Sequence, residues 1–472
     1  MHTQSLAPTP AKKLALVLGG GGSKGAYQIG AYRALRELGF SFDLVTGVSI
    51  GALNGAMIVQ GDFDKASTLW ESLDVEKVIG KGLNLTTDID YYFNNVQKLL
   101  PFLKSYTQNK GMDTAPLWEI ITTHLDYAKL SSSAMDFGLL CVEVPSFQAC
   151  EQTKATLSKQ SLAHWVMASA SCFPAFPIYN INGKSYIDGG YYDNLPIDLA
   201  FKMGASEVIA ISLHNDFVTK YDSNPLVCHI RPSRYLGTML DFSQDSIARN
   251  IKLGYLDTKR YFGKLAGLRF AFMPLDEVDS STFRALSRRL LASLLAKELD
   301  KNAPSSTALA RFGTQLASTG IISKITSTTP FCDMLLSTLK PYNATHISLE
   351  QLTLALLESY MQLMNYDETK TYNALEVFAK AKRDLAYIAQ GSATSRLDSS
   401  LDSSVGREIA RAYALLQDKK PETSLFDEFG EKLLCAMLAF ALGYEEGART
   451  RLGISRFLSK QRSAGVQLDS SV

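Results

Sequence analysis

Four consecutive glycines, Gly19 to Gly22 in "LALVLGGGGSKGAYQIG", close an apolar run and open a helical one. Glycine costs backbone entropy on folding, so four in a row mean that the backbone itself is put to use. A glycine turn between a strand and a helix N-terminus is an anion site, because unpaired N–H groups and the helix dipole converge there. The anion is either a permanent phosphate or a charge that exists only in a transition state. A Walker A loop needs Gly-Lys followed by Ser or Thr, whereas here Ser23 precedes Lys24 and Gly25 follows it. Gly20, Gly22 and Gly25 do satisfy the dinucleotide spacing G-x-G-x-x-G. That motif also requires an acidic residue at the end of the second strand, and Asp43 stands at its beginning.

The end of the second strand carries "GVSIG", Gly47 to Gly51, which follows a β run and opens a helical one. That is the setting of a nucleophile elbow, with Ser49 lifted clear of the backbone between small neighbours. A serine needs a base. Of the six histidines, His214 and His229 follow strands and could complete a Ser–Asp–His order, but neither has a distinctive local motif. The stronger candidate is Asp188 in "YIDGGYYDNLP", where Gly189 and Gly190 let the chain turn tightly around the carboxylate. All three motifs sit at strand ends, where open α/β sheets place their ligands.

Between 14 and about 231 the chain alternates β-rich runs (14–18, 42–46, 137–144, 185–188 and 208–213) with helical stretches. This predicts an α/β domain with a largely parallel sheet. From about 241 onward strand-like runs almost vanish and apolar residues recur at helical spacing. The expected division is a flexible tail over 1–13, an α/β domain over 14–240 and a mainly α-helical region over 241–472. A Ser/Asp-rich stretch, 391–406, reads as an exposed loop inside that region.

Composition narrows the classes. A net charge of +1 argues against nucleic acid as a partner. The six cysteines show no CxxC pair and no zinc spacing, so no metal site is expected. The N-terminal residues lack the apolar core of a secretory signal, and no apolar run is long enough to span a bilayer, which points to a cytoplasmic protein.

Taken together, "GGGGSKG", "GVSIG", "ASASCFPAFPIYNINGKSYIDGG" and "NLPIDLAFKMGASEVIAISL" closely resemble the patatin-like phospholipase family, over about residues 14–213. The resemblance implies a three-layer α/β/α domain and a Ser–Asp dyad, with Ser49 as nucleophile and Asp188 as general base. It implies that Gly20, Gly21 and Gly22 supply the oxyanion donors, with Lys24, Gly25, Gly47, Gly51, Gly189 and Gly190 as supporting motif residues. It further implies hydrolysis of phospholipid or related lipid esters with no cofactor and no need for calcium. A carboxylesterase of soluble esters and a nucleotide-binding protein are the alternatives, and a non-catalytic scaffold ranks below them. Lys24 either holds the glycine loop, attracts phosphate head groups, or is a solvated surface charge. The Phe and Pro residues of "CFPAFP" are either an acyl-chain wall or core packing, and the aromatic-rich segment 88–106 is a lid or, slightly favoured, a buried capping helix. The helical region can receive a regulatory partner or form an oligomer contact.

Overall fold

In the computed structural model the described residues are 12–73, 78, 113–299, 321–323, 346–389, 408–409 and 438. The expected lid or capping segment at 88–106, the 391–406 loop and most of the N-terminal tail lie outside them. Two compact units divide the chain at Gly263.

The first unit is built on an eight-stranded sheet. Strands β1 (Leu14–Leu18), β2 (Leu44–Val48), β7 (Glu207–Ile211) and β8 (Val227–Ile230) run parallel, with β2 also parallel to β3 (Asp136–Val144). Antiparallel to β3 run β4 (Gln148–Thr153) and β6 (Lys184–Asp188), and β5 (Tyr179–Ile181) is antiparallel to β6. The sheet is therefore mixed, and the antiparallel half comes from strands that are short or polar. "QACEQT" and "YNI" have no run of β-branched residues and stay half-exposed, so alternation does not announce them.

Side chains alternate across the sheet and fill two separate layers. From β1, Leu16 and Leu18 enter the larger core, with α1 (Ala26–Glu37), α2 (Ile50–Val59), α3 (Phe63–Ser72), α4 (Ala115–His124), α5 (Tyr127–Ser132) and α6 (Leu162–Ser169). Ala15 and Val17 enter the smaller one, under α7 (Ile197–Lys202). This is a three-layer α/β/α fold. Helix α2, "IGALNGAMIV", is apolar apart from Asn54 and buried from Gly51 to Val59, as a helix inside a core should be, and Asn54 is satisfied by the Gly25 carbonyl, Gln28 and Trp70.

The domain boundary differs from the expected 240/241. Helix α8 (Gln244–Tyr261) packs on α1 and belongs to the first unit. The reason is backbone contact: a Cβ at Gly30 would lie 1.8 Å from the Ile251 carbonyl oxygen, and one at Gly254 would lie 1.9 Å from that of Tyr27. Helical periodicity in 244–261 marks an amphipathic helix without saying which core it covers. A buried network adds to the contact, with Tyr27 donating to Asp257 Oδ2 at 3.0 Å and the Ser233 amide to the same oxygen at 2.9 Å. Gly254→Ala is expected to force the two helices apart and destabilise the first unit by about 1–3 kcal/mol. All three tryptophans of the chain (Trp70, Trp118, Trp165) lie in this unit, so a lowered urea midpoint in intrinsic fluorescence reads the effect directly.

The second unit carries helices α9 (Glu277–Leu299), α10 (Leu349–Leu363) and α11 (Ala374–Ala389). Two small ladders accompany them: β9 (Ala271–Phe272) with β12 (Thr371–Tyr372), and β10 (Ile321–Ser323) with β11 (His346–Ser348). Ser348 and Gln351 form a capping box at the start of α10. Glu358, buried in the same helix, accepts the amides of Leu268, Arg269 and Phe270 at 2.6, 2.9 and 3.1 Å. That carboxylate replaces the water those three donors would otherwise need.

Candidate active site

The register of β3 brings Ser49 and Asp188 together. Strand β2 covers β3 as far as Val48 opposite Leu140, and β6 begins its coverage with Asp188 opposite Cys141. Strand β4 pairs with β3 from Gly138 to Glu143 and overlaps both partners, so β2 and β6 share the other edge of β3. Their carboxyl ends meet head-on there, at two consecutive β3 residues about 3.3 Å apart along the strand. Ser49 follows directly on Val48, and Asp188 is the last residue of β6.

Ser49 opens α2 with φ 56° and ψ −127°, a left-handed backbone that a non-glycine residue adopts only under constraint. The constraint comes from its neighbours. A Cβ at Gly47 would lie 2.3 Å from the Gly51 carbonyl oxygen, and one at Gly51 would lie 2.3 Å from that of Leu18. The Ser49 amide donates to Ser169 Oγ at 2.9 Å, and that hydroxyl donates to the Leu140 carbonyl at 2.7 Å. Ser169 ties the elbow to the β3 residue beside the meeting point, a role not apparent from "ASASCF" alone.

Asp188 is fully buried. Its Oδ1 accepts the Gly190 amide at 2.7 Å, and its Oδ2 has no hydrogen-bond partner. Burial pushes the carboxyl up from 3.8 to about 7, opposed by the neighbouring Ser49 hydroxyl and by the Gly190 N–H. The hydroxyl is thus near enough to favour the carboxylate without a direct hydrogen bond to Oδ2. Gly189 admits this geometry, since a Cβ there would lie 2.2 Å from the Leu140 carbonyl oxygen.

Within the glycine run the amides have different fates. Gly19 donates to Ile211 O at 3.1 Å, and Gly20 donates to Asn194 O at 3.2 Å. Gly20 is thereby withdrawn from the expected set of three donors; the Asn194 side chain clasps it further through its carbonyl at 3.3 Å. The amides of Gly21 and Gly22 have no acceptor among the described residues. Gly22 has φ 57°, and a Cβ on it would strike the Met239 carbonyl oxygen at 2.3 Å. The loop is braced from the segment that follows β8: Ser23 donates from its amide to Met239 O at 2.8 Å and from its hydroxyl to Thr238 O at 3.0 Å.

Lys24 is 1% exposed, with its ammonium 5.7 Å from the Tyr235 ring centroid, so the surface-charge reading is corrected. Gly25 is needed at the crossing below it, where a Cβ would lie 2.6 Å from Ile50 Cγ1.

Ser49 and Gly22 open together into a cleft whose volume, mouth included, is about 550 Å³. Its walls are apolar: Ile50 and Leu53 from α2, Leu117 and Ile121 from α4, Phe176, and Met239 and Phe242. The two phenylalanines of "CFPAFP" divide, for Phe176 faces the cleft whereas Phe173 packs with Val142, Val144, Ile187 and Tyr191.

Of the two candidate histidines, His214 lies three residues past the end of β7, its carbonyl accepting the Ser212 hydroxyl at 3.2 Å. His229 lies on β8, three strands or about 14 Å from β2. Its Nδ1 pairs with Asp222 at 3.2 Å, and burial, with the Arg231 charge, pushes it down to about 4. The described residues hold no cluster of metal-ligating side chains, and no described helix is long and apolar enough to cross a membrane.

Comparison with known proteins matches residues 16–201 to the family described as patatin-like phospholipase. A lysophospholipase (NTE1) of Meyerozyma guilliermondii is 28% identical over 207 residues, which are 42% of this chain and 12% of that protein. Patatin-like phospholipase domain-containing protein 7 of Rattus norvegicus is 30% identical over 206 residues, 42% of this chain and 13% of that one. The matched segment thus spans about an eighth of the relatives' length. Among solved structures, VipD from Legionella pneumophila aligns over 92% of each chain at 14% identity and a TM-score of 0.37.

Proposed function

We propose, from the premise that residues 16–201 form a patatin-like phospholipase domain, that this protein is a serine-dependent lipid acyl hydrolase of the phospholipase A type. The observation that carries the reading is the head-on meeting of β2 and β6, which sets a strained serine that opens into an apolar cleft beside a buried carboxylate.

Ser49 Oγ attacks the ester carbonyl carbon while Asp188 Oδ2, the oxygen without a partner, takes its proton. The carbonyl oxygen becomes negative and is received by the amides of Gly21 and Gly22, in a loop held through Ser23 to Met239 and Thr238. In comparable sites one such donor contributes about 100- to 1,000-fold in rate. Asp188 returns the proton to the departing alcohol, leaving an acyl group on Ser49. Water then attacks the acyl carbon while Asp188 takes one of its protons, the bond from Ser49 Oγ to the acyl carbon breaks, and Asp188 returns the proton to Ser49 Oγ as the acid leaves.

The same dyad would cleave soluble short-chain esters, and the apolar walls favour the lipid reading over that one. Phosphate binding at the glycine run is disfavoured, because Gly19, Gly20 and Ser23 spend their amides on the scaffold. The test is a fluorophosphonate probe, whose phosphonyl oxygen imitates the oxyanion. Peptide mapping is expected to place the adduct on Ser49 alone; an adduct elsewhere, or none with ester hydrolysis intact, defeats the assignment.

A further inference from the structure

Cys141 and Cys150 stand opposite each other in the antiparallel ladder of β3 and β4. Cys141 is at the same time opposite Asp188 in the antiparallel ladder of β3 and β6. The three residues form one row across three strands. Ladder partners project from the same face, so two thiols and the carboxyl lie side by side with Cys141 in the middle. Opposed Cα atoms in such ladders are about 4.5 or 5.5 Å apart, within the span of about 4.4–6.8 Å that a disulfide accepts.

Both cysteines are free, Cys141 buried and Cys150 half-buried. Cys141 Sγ reaches the Cys150 carbonyl at 3.6 Å, and Gln152 Nε2 donates to Cys150 Sγ at 3.4 Å. The neighbouring Cys141, helped by Gln152, pushes Cys150 down to about 6 against the opposing effect of burial, and the Cys150 side chain together with burial drives Cys141 up. The nearby Lys184 charge also lowers Cys150, while Glu143 opposes it and Asp188 raises Cys141. Near neutral pH the reachable sulfur is therefore the nucleophilic one, and its neighbour is placed to resolve it.

We propose that Cys141 and Cys150 form a hydroperoxide-responsive modification site, whose disulfide links β3 to β4 in the row of Asp188 and suppresses turnover. The Cys150 thiolate attacks one oxygen of the hydroperoxide, the O–O bond breaks, and the departing alkoxide or hydroxide takes a proton from water. Cys141 sulfur then attacks the sulfenic sulfur, the S–O bond breaks, and hydroxide leaves as water with the Cys141 proton. Two thiols have lost two electrons and two protons, and the hydroperoxide has become an alcohol, or water, plus one further water. A dithiol reverses the change.

Closing the bond brings the two sulfurs to about 2.05 Å of each other. That draws residue 141 toward β4 and away from Asp188, and it shifts Leu140, the anchor of Ser169 and so of the Ser49 amide. A displacement near 1 Å in a catalytic pair costs on the order of 100-fold. The bond stands independently of the proposed function, and its effect on turnover rests on it.

The test treats the full-length protein with hydrogen peroxide, alkylates free thiols and maps peptides without reduction. The expected result is a Cys141–Cys150 peptide pair lighter by two hydrogens, with hydrolysis of a soluble ester down at least about tenfold and restored by dithiothreitol. Cys150→Ser, outside the catalytic machinery, keeps its turnover and loses the response. Full alkylation of both cysteines after peroxide, a sulfinate on Cys150 without the crosslink, or a crosslink with unchanged turnover each overturns the proposal. Retained hydrolysis in Ser49→Ala would instead defeat the functional reading and leave the crosslink map standing.

Discussion

Replacing Ser49 by alanine is expected to lower kcat for a soluble ester by at least about 10,000-fold while the fold persists, because Ser49 carries the only hydroxyl among the described residues lining the cleft. Every other described residue lining the cleft beside Ser49 carries an apolar side chain, apart from Gly22 and the buried thiol of Cys172. Cys172 sits on the cleft wall with its sulfur 3.9 Å from the Tyr191 hydroxyl, and Ser49→Ala leaves that thiol in place. Stability offers a second reading of the same position. A residue at φ 56° stores strain of about 1–3 kcal/mol, which alanine retains and glycine relieves. Ser49→Gly should therefore unfold at higher urea than Ser49→Ala, with both inactive. Equal midpoints would mean that the elbow is not strained.

Asp188→Asn carries the second large effect. An amide cannot accept the serine proton, and kcat/KM is expected to fall by about 1,000- to 10,000-fold. In the native protein the carboxyl has to be ionised to act, so kcat/KM should rise with pH through about 7 and then level off. Residual activity of the variant should lack that step. Stability moves the opposite way. Between pH 3.8, where the unfolded chain releases this proton, and about 7, where the folded protein does, the native state binds more protons than the unfolded one. Stability contributed by this group therefore falls as pH rises across that window, by an amount on the order of 4 kcal/mol. Asp188→Asn escapes the penalty, and its urea midpoint should exceed the native one above pH 7 and lose that advantage toward pH 4. A variant less stable than the native protein at pH 8 would show that burial does not oppose the charge.

Much of the site is legible along the chain because its motifs are steric statements. The glycines of "GVSIG" and "DGG" stand where a Cβ would meet backbone oxygen, and such contacts constrain residue type directly. The strand-turn-helix context around Ser49 is equally local. What a linear reading does not give is anything decided by register. That Val48 and Asp188 face consecutive residues of β3 depends on a ladder with the half-exposed β4 on its far side, and "QACEQT" has no pattern to declare it. Gly20 looks like its neighbours in the run, yet its amide belongs to Asn194, 174 positions away. A solvated surface charge stands among the readings of Lys24 because lysine usually is one. Its burial depends on the segment after β8, which also supplies Met239 and Phe242 to the cleft and lies outside the span shared with the family.

The head-on arrangement of β2 and β6 has a consequence for how such a chain can vary. The separation of Ser49 and Asp188 is set by counting residues along β3, whatever the length of the connections that join the strands between them. Loops in that interval can lengthen by tens of residues at a slowly growing entropic cost. One residue added inside β2, β3 or β6 turns the following side chains to the opposite face of the sheet. Length is free in the connections and quantised in the ladder, so insertions that preserve activity should fall in the first and never in the second.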